Sequence, residues 1–423
     1  MSHSTAWRLV MGLAWSVAAI GVGCSLAAAA DTVPAVAPAA AGAAADAPYM
    51  LDARIIGDDQ RMRFVADLSA PVDASVFALA DPYRVIIDMP EVRFVVPDGT
   101  GTTARGFITA FRYGSISAGK SRVVIDVSDP VAIDREFVVP AADGQPARLV
   151  VDLVPTTRDK FLDAAKAYRD SHLAAAEAVN PPPPPADGDN SKPLIVLDPG
   201  HGGIDSGTSG PDGTLEKDVV LAFAKVLGDK LVATGRYRVV YTRTDDTYVS
   251  LGERVEVARN QNADLFISIH ANSFPSQVVH GTIIYTASDQ ASDKMAADVA
   301  QTENQSDALA GIDVDSQDSD QVKDILNDLT RRETRNFGVV FAQNLVNYLS
   351  KTGRMFKVPH QEASFKVLEA PDVPSALIEL GYITNPTDEK QLISPDWQAT
   401  TATSMVSAID AFFGTRTTAA VNP

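Results

Sequence analysis

From Tyr49 to about Pro155, short runs of apolar, often β-branched residues alternate with polar punctuation. Four runs resemble one another: RFVADL from Arg63, RVIIDM from Arg84, RVVIDV from Arg122 and RLVVDL from Arg148. Turn formers separate them, among them Asp81-Pro82, Pro97-Asp98-Gly99, Asp129-Pro130 and Asp143-Gly144, so the pattern predicts an all-β sandwich over residues 49–155. The period then changes. Residues 158–179 alternate Ala, Leu and charged side chains as a helix does, and Pro181 to Pro185 stop it, which makes residues 156–193 a helical and then Pro-rich linker. From residue 194 to 414, strands alternate with helical segments, the signature of an α/β domain with a largely parallel sheet flanked by helices; residues 415–423 are a tail.

The ends and the composition narrow the class. Arg8, the apolar run Leu9–Val22 and the small residues Ala28 to Ala30 have the layout of a cleavable signal peptide over residues 1–30, which predicts export. Gly12, Gly21 and Gly23 break the run and make a spanning helix the weaker reading. Residues 31–48 are Ala and Pro with almost no large apolar group and read as a spacer. The sole cysteine, Cys24, lies in the signal segment, which leaves a mature chain without disulfides; lipidation at Cys24 stays open. A net charge of −18 with no basic run gives counterion release nothing to work on, so nucleic acid is excluded as a partner.

Candidate chemistry sits at strand ends. Leu194–Leu197 runs into DPGHGG, a tight turn that presents His201 at a carboxyl edge, where ligand sites of open α/β sheets lie. A phosphate cradle would need a Gly-Lys-Ser/Thr ending that is missing. Glu216 opens a helix whose apolar positions, Val219, Val220, Phe223, Val226, Leu227 and Leu231, follow the 3.6 period, with Thr214 as the expected N-cap. Alone, an acid there would serve the helix dipole. The strand Leu265–Ile269 carries His270 at its end, and the run Leu377 to Gly381 places Glu379 inside an apolar strand, where an unpartnered charge is costly. Two imidazoles and a carboxylate suit a catalytic zinc with a position open for water, and a further carboxylate could move the proton. His280, at a strand start, and His360, expected in a loop, are taken as structural or solvent-facing.

The second domain closely resembles the zinc-dependent N-acetylmuramoyl-L-alanine amidases of the amidase 3 family. The resemblance is carried by IVLDPGHGG from Ile195, Glu216-Lys217, YTRTDD from Tyr241, the helix start Leu251–Arg254, ADLFISIHAN from Ala263, FKVLEAPDVPSALIELGYITN from Phe365, and Asp388. It implies that His201, Glu216 and His270 ligate one Zn2+ and that Glu379 is the catalytic acid/base. The bond cut would be the amide between the lactyl group of N-acetylmuramic acid and L-alanine of the peptidoglycan stem. The first domain resembles the AMIN module of envelope enzymes, which implies a role in binding peptidoglycan or septal proteins. A plain sandwich whose Arg and Asp cap strands accounts for the same repeats.

Residues 289–330 form an Asp-rich insertion with apolar residues at helical spacing, Met295, Val299, Leu309 and Ile312, ahead of a helix expected near Thr334. In division-type members of the family, a segment here is an autoinhibitory helix. Glu303 is the residue that would then fill the fourth zinc position; a solvated acidic face is the competing reading. A lid would require an activator, by resemblance a protein with a degenerate LytM-type domain, acting in the periplasm of a Gram-negative bacterium at the division septum. A zinc peptidase acting within the stem peptide and a non-catalytic wall-binding adaptor are the other function classes.

Overall fold

The computed structural model describes residues 47–117, 119–176, 191–274, 279–312 and 325–419. The expected signal segment with Cys24, residues 31–46 of the Ala/Pro spacer and Pro181–Pro185 lie outside these residues.

The N-terminal part is built from β1 (Tyr49–Asp58), β2 (Arg61–Leu68), β3 (Ser75–Leu79), β4 (Arg84–Pro90), β5 (Arg93–Phe94), β6 (Ile108–Ser117), β7 (Lys120–Val127), β8 (Val131–Val139) and β9 (Ala147–Pro155). They form two sheets, ordered β5-β1-β2-β9-β8 and β3-β4-β7-β6. The inward-facing residues of the two sheets, such as Phe64, Val85, Ile87, Phe111, Val123, Ile125 and Val151, share one core, as alternation in a sandwich requires. The four repeated runs are β2, β4, β7 and β9, and they pair two by two. Arg63 lies opposite Asp152 and Asp67 opposite Arg148; Arg84 lies opposite Asp126 and Asp88 opposite Arg122. Two of these four register pairs close as forked ion pairs, Arg63–Asp152 at 2.6 and 2.8 Å and Arg122–Asp88 at 2.6 and 2.8 Å. A helix, α1 (Arg158–Ala176), follows and lays Tyr168 flat on Phe77, with ring centroids 3.5 Å apart.

The second part is a sheet of β10 (Leu194–Pro199), β11 (Arg238–Tyr241), β12 (Leu265–Asn272), β13 (Thr282–Ala287), β14 (Met355–Ala363) and β15 (Ser375–Tyr382), ordered β11-β10-β12-β15-β13-β14. The first four in that order are parallel. β13 runs antiparallel to β15 and takes β14 with it in parallel, so the sheet is mixed at one side. One face is covered by α2 (Glu216–Ala233), α6 (Ile325–Leu349) and α8 (Pro395–Ala419), which bury Phe223, Leu227, Phe341, Leu345, Met405 and Ile409 against Ile195, Leu197, Ile267 and Ile378. Full burial of one such side chain contributes about 1.5–3 kcal/mol. The other face carries α3 (Leu251–Asn260) and α4 (Lys294–Glu303), with Val299 and Ala300 packed near Tyr285 and Phe365. Among the described residues between α4 and α6 lies a single turn, α5 (Ser306–Leu309), and α7 (Pro386–Leu392) follows β15.

Three local expectations change. The N-cap position of α2 is Leu215, and no side chain caps it; Thr214 is not needed because the carbonyls of Thr208 and Ser206 accept from the Glu216 and Lys217 amides, at 3.0 and 3.3 Å. The helix expected near Thr334 is already formed at Ile325, the first described residue after Ile312, since no Pro or Gly interrupts the run between Ile325 and Thr334. His360 lies in β14 rather than a loop, and its Nε2 meets the Thr286 hydroxyl at 2.9 Å.

Candidate metal centre

The strand order places β10, β12 and β15 side by side, so the loop leaving β10 and the ends of β12 and β15 are neighbours. His201 follows β10, His270 lies two residues before the end of β12, and Glu379 lies opposite His270 in the register of β15. Glu216, first residue of α2, reaches the same place from the loop after β10.

His201 adopts φ = +57°, a left-handed conformation that costs a residue with a Cβ about 1–3 kcal/mol and persists only where its surroundings impose it. Two buried arginines do so. Arg254 donates to Asp198, to the Pro199 carbonyl and to the His201 carbonyl, at 2.7, 2.8 and 2.7 Å. Arg243 donates to the Pro199 and Gly200 carbonyls at 2.9 and 2.8 Å. Asp198, fully buried, also accepts from Thr242 and Ser268, at 2.6 and 2.7 Å. Burial pushes its carboxyl up, but Arg254 and the two hydroxyls outweigh that and hold it below the usual carboxylate range. Gly200 is required for another reason: a Cβ there would stand 2.3 Å from the His270 ring.

Three ligand atoms, one each from His201, His270 and Glu303, lie within 4.8 Å of one another. Glu303 Oε2 is 3.4 Å from His201 Nε2 and 3.1 Å from His270 Nδ1. Glu216 Oε1 stands 3.1 and 3.4 Å from the same two nitrogens. The Glu216 carboxylate is oriented by the Ala271 and Thr208 amides, each donating to it at 2.9 Å, while Glu303 is the last residue of α4, whose N-terminus Asp293 caps. His201 Nδ1 is held by Asp205 at 2.9 Å, which turns Nε2 toward the cluster. A second partner of this kind fixes the tautomer of a metal-binding imidazole.

The electrostatics ask for a cation. Burial opposes charge on both imidazoles, yet Asp205, Glu216 and Glu303 raise His201 well above the usual range, and Glu303 and Glu216 raise His270 to about 10. His201 Nε2 and His270 Nδ1 have no hydrogen-bond partner. Two nitrogen and two oxygen donors around one point, with orphaned nitrogens and surplus negative charge, fit a four-coordinate divalent metal. Glu379 is different: burial drives its carboxyl well above the usual range, His270 lowers it, and Glu303 and Glu216 raise it. Its two oxygens are buried without partners, and a carboxyl perturbed in this way is of the kind found at functional sites.

The structure thus brings His201, Glu216, His270, Glu303 and Glu379 together and leaves His280 and His360 out. Asp205, Asp198, Arg254 and Arg243 were not singled out from sequence. The spacing His201-Gly-Gly-Ile-Asp205 was visible, but only the left-handed turn makes it a contact. Replacing Asp205 with Asn should weaken metal affinity about 10–100-fold while sparing the ligands; competition with a chelating dye measures it, and parental affinity would count against this role.

Comparison with known proteins gives the family. Residues 195–411 match the family profile described as N-acetylmuramoyl-L-alanine amidase (Amidase_3), and residues 52–153 match that of the AMIN domain. The chain is 34% identical over 349 residues to the N-acetylmuramoyl-L-alanine amidase AmiC of Escherichia coli O6:H1, spanning 80% of this chain and 83% of that protein. It is 34% identical over 387 residues to AmiC of Neisseria meningitidis serogroup B, spanning 87% and 91%. Among solved structures it is similar to AmiC2 of Nostoc punctiforme, with 27% identity over 53% of this chain and 99% of that one and a TM-score of 0.39. With one profile covering the mixed α/β domain, the other covering the sandwich, and AmiC relatives running through both, the chain belongs to the N-acetylmuramoyl-L-alanine amidases of the Amidase_3 family and is a peptidoglycan amidase of the AmiC type.

Proposed function

We propose that the chain hydrolyses the amide between the lactyl group of N-acetylmuramic acid and L-alanine with one zinc ion held by His201, Glu216 and His270, and that Glu303 keeps it inactive at rest. The observation that carries this reading is the meeting of the two imidazoles with both Glu216 and Glu303 at one point. When bound, zinc supplies Lewis acidity to a water and to the scissile carbonyl. Glu379 takes the proton of the attacking water and delivers it to the leaving nitrogen; the C–N bond breaks, leaving a carboxylate on the glycan and a free amine on the stem. A carboxyl whose proton affinity is raised by burial suits that exchange.

Rest is supported by how α4 is tied down. Asn304 donates to the Ser364 carbonyl and accepts from the Lys366 amide, each at 2.8 Å. Ser306 donates to Asp205 at 2.6 Å. The cavity left beside His201, His270 and Glu303 is about 10 Å³, room for about one water and none for a glycan. A LytM-type activator in the periplasm would displace this segment, and the AMIN domain would carry the enzyme to the division septum.

Glu379→Gln should lower turnover on purified peptidoglycan by about 10²–10⁴-fold with zinc content unchanged. Mass spectrometry of the parent's digest should show intact free stem peptides; shortened stems would indicate a peptidase, and unaltered sacculi even with Glu303→Ala would indicate a non-catalytic adaptor. Glu303→Ala should raise basal turnover, and no gain over the parent defeats autoinhibition. A fluorescent fusion lacking residues 49–155 should lose septal enrichment; retention there refutes targeting by the AMIN domain.

A further inference from the structure

The outer face of the sheet β3-β4-β7-β6 is not a free surface. Arg84, Arg112 and Arg122 stand on its three adjacent strands β4, β6 and β7 and point at four consecutive carbonyls that follow the metal-site helix. Arg84 donates to Ala308. Arg112 donates to Leu309 at 2.5 Å. Arg122 donates to Ala310 and Gly311 at 3.1 and 2.8 Å. Between the arginines, Ile86 and Val124 form an apolar stripe with Ala310 buried on it and Ile312 packed alongside. Gly311 has φ = +71°, and a Cβ there would meet Ile86 Cδ1 at 2.5 Å and Val124 Cγ2 at 3.0 Å, so only bare backbone fits.

The departure from the repeat is informative. Arg63 takes the Asp opposite it, whereas Arg84, only 2% exposed and facing Asp126 in the register, turns to the Ala308 carbonyl while Arg112 takes Asp126. A buried guanidinium directed at another domain's backbone fixes that backbone through charge-assisted bonds. From there the chain is held without a gap to the metal donors. Asp307 accepts from the Tyr248 hydroxyl at 2.6 Å and the Leu251 amide at 2.9 Å, Ser306 holds Asp205, and Glu303 lies three residues further back. The same domain also meets the loop after His201, where the Ile204 amide donates to the Ser115 carbonyl at 3.1 Å.

We infer that the AMIN domain is the latch of the autoinhibitory segment: its row of three arginines grips residues 308–311 and thereby keeps Glu303 on the metal site. This rests on the reading of Glu303 as an inhibitory ligand. It gives the domain a second role, since whatever draws its β4-β7-β6 face away releases the segment.

The test uses the full chain. Arg84→Ala/Arg112→Ala/Arg122→Ala loosens the latch from the AMIN side; Gly311→Leu loosens it from the segment side and leaves the AMIN sequence and its Arg122–Asp88 pair untouched. Both should raise basal hydrolysis of purified peptidoglycan about tenfold, a change of about 1.4 kcal/mol in the resting equilibrium, and both should speed amide hydrogen exchange across residues 294–311. Glu303→Ala is the reference. If it raises turnover while Gly311→Leu and the arginine variant keep parental turnover and exchange, the latch is overturned and the inhibitory reading stands. If Glu303→Ala gives no gain, the inhibitory reading falls, and exchange alone decides the grip: faster in both latch variants upholds it, parental overturns it. Should the arginine variant not fold, Gly311→Leu decides alone.

Discussion

The buried pair of Asp198 and Arg254 is the constraint on which the catalytic half depends. It joins the end of β10 to α3, and through Thr242 and Ser268 it also touches the chain after β11 and the middle of β12. Isolated, either charge would be expensive in a site with 0% and 2% exposure. Together they satisfy each other, and the spare donors of Arg254 go to carbonyls of a turn that would otherwise unwind. The position of His201 is therefore set by a charge pair one strand-end away from the candidate metal centre.

Around the two imidazoles the chain gathers Asp205, Glu216 and Glu303, with Glu379 behind. So much carboxylate in a buried space is tolerable only with positive charge among it, from protons on the rings or from an ion. On the proposed reading of Glu303 as an inhibitory ligand, exchanging it for water and substrate would leave the donors of His201, His270 and Glu216 in place.

Much of this was readable from the chain. The β-branched runs with polar ends located β2, β4, β7 and β9, and the apolar strands located His201 and His270 at their ends and Glu379 inside one, because strands announce themselves locally and parallel order brings neighbours together. The helix spacing placed α2 and hence Glu216. What stayed hidden depends on the third dimension. Asp205 becomes a partner of His201 only through a left-handed turn. Arg254 sits 56 residues from Asp198. Arg84 and Arg122 read as strand ends and Arg112 carries no signal of its own; only the fold lays the segment from Ala308 on all three. Thr214 failed as a cap because carbonyls from residues ahead of it reach the same amides, a competition that no local pattern encodes.

The Arg-to-Asp spacing of four in each repeated strand has a consequence for how the sandwich chooses its pairings. Laid head to tail, two copies set unlike charges face to face; laid side by side in the same direction, they would set Arg on Arg and Asp on Asp, which is destabilising. The motif is thus a polarity code, and sliding one strand by two residues breaks both matches at once. The code is shared by all four copies, so charge alone is blind to identity. Which copy finds which is left to connectivity and to the side chains turned inward, and that division of labour yields two sheets instead of one.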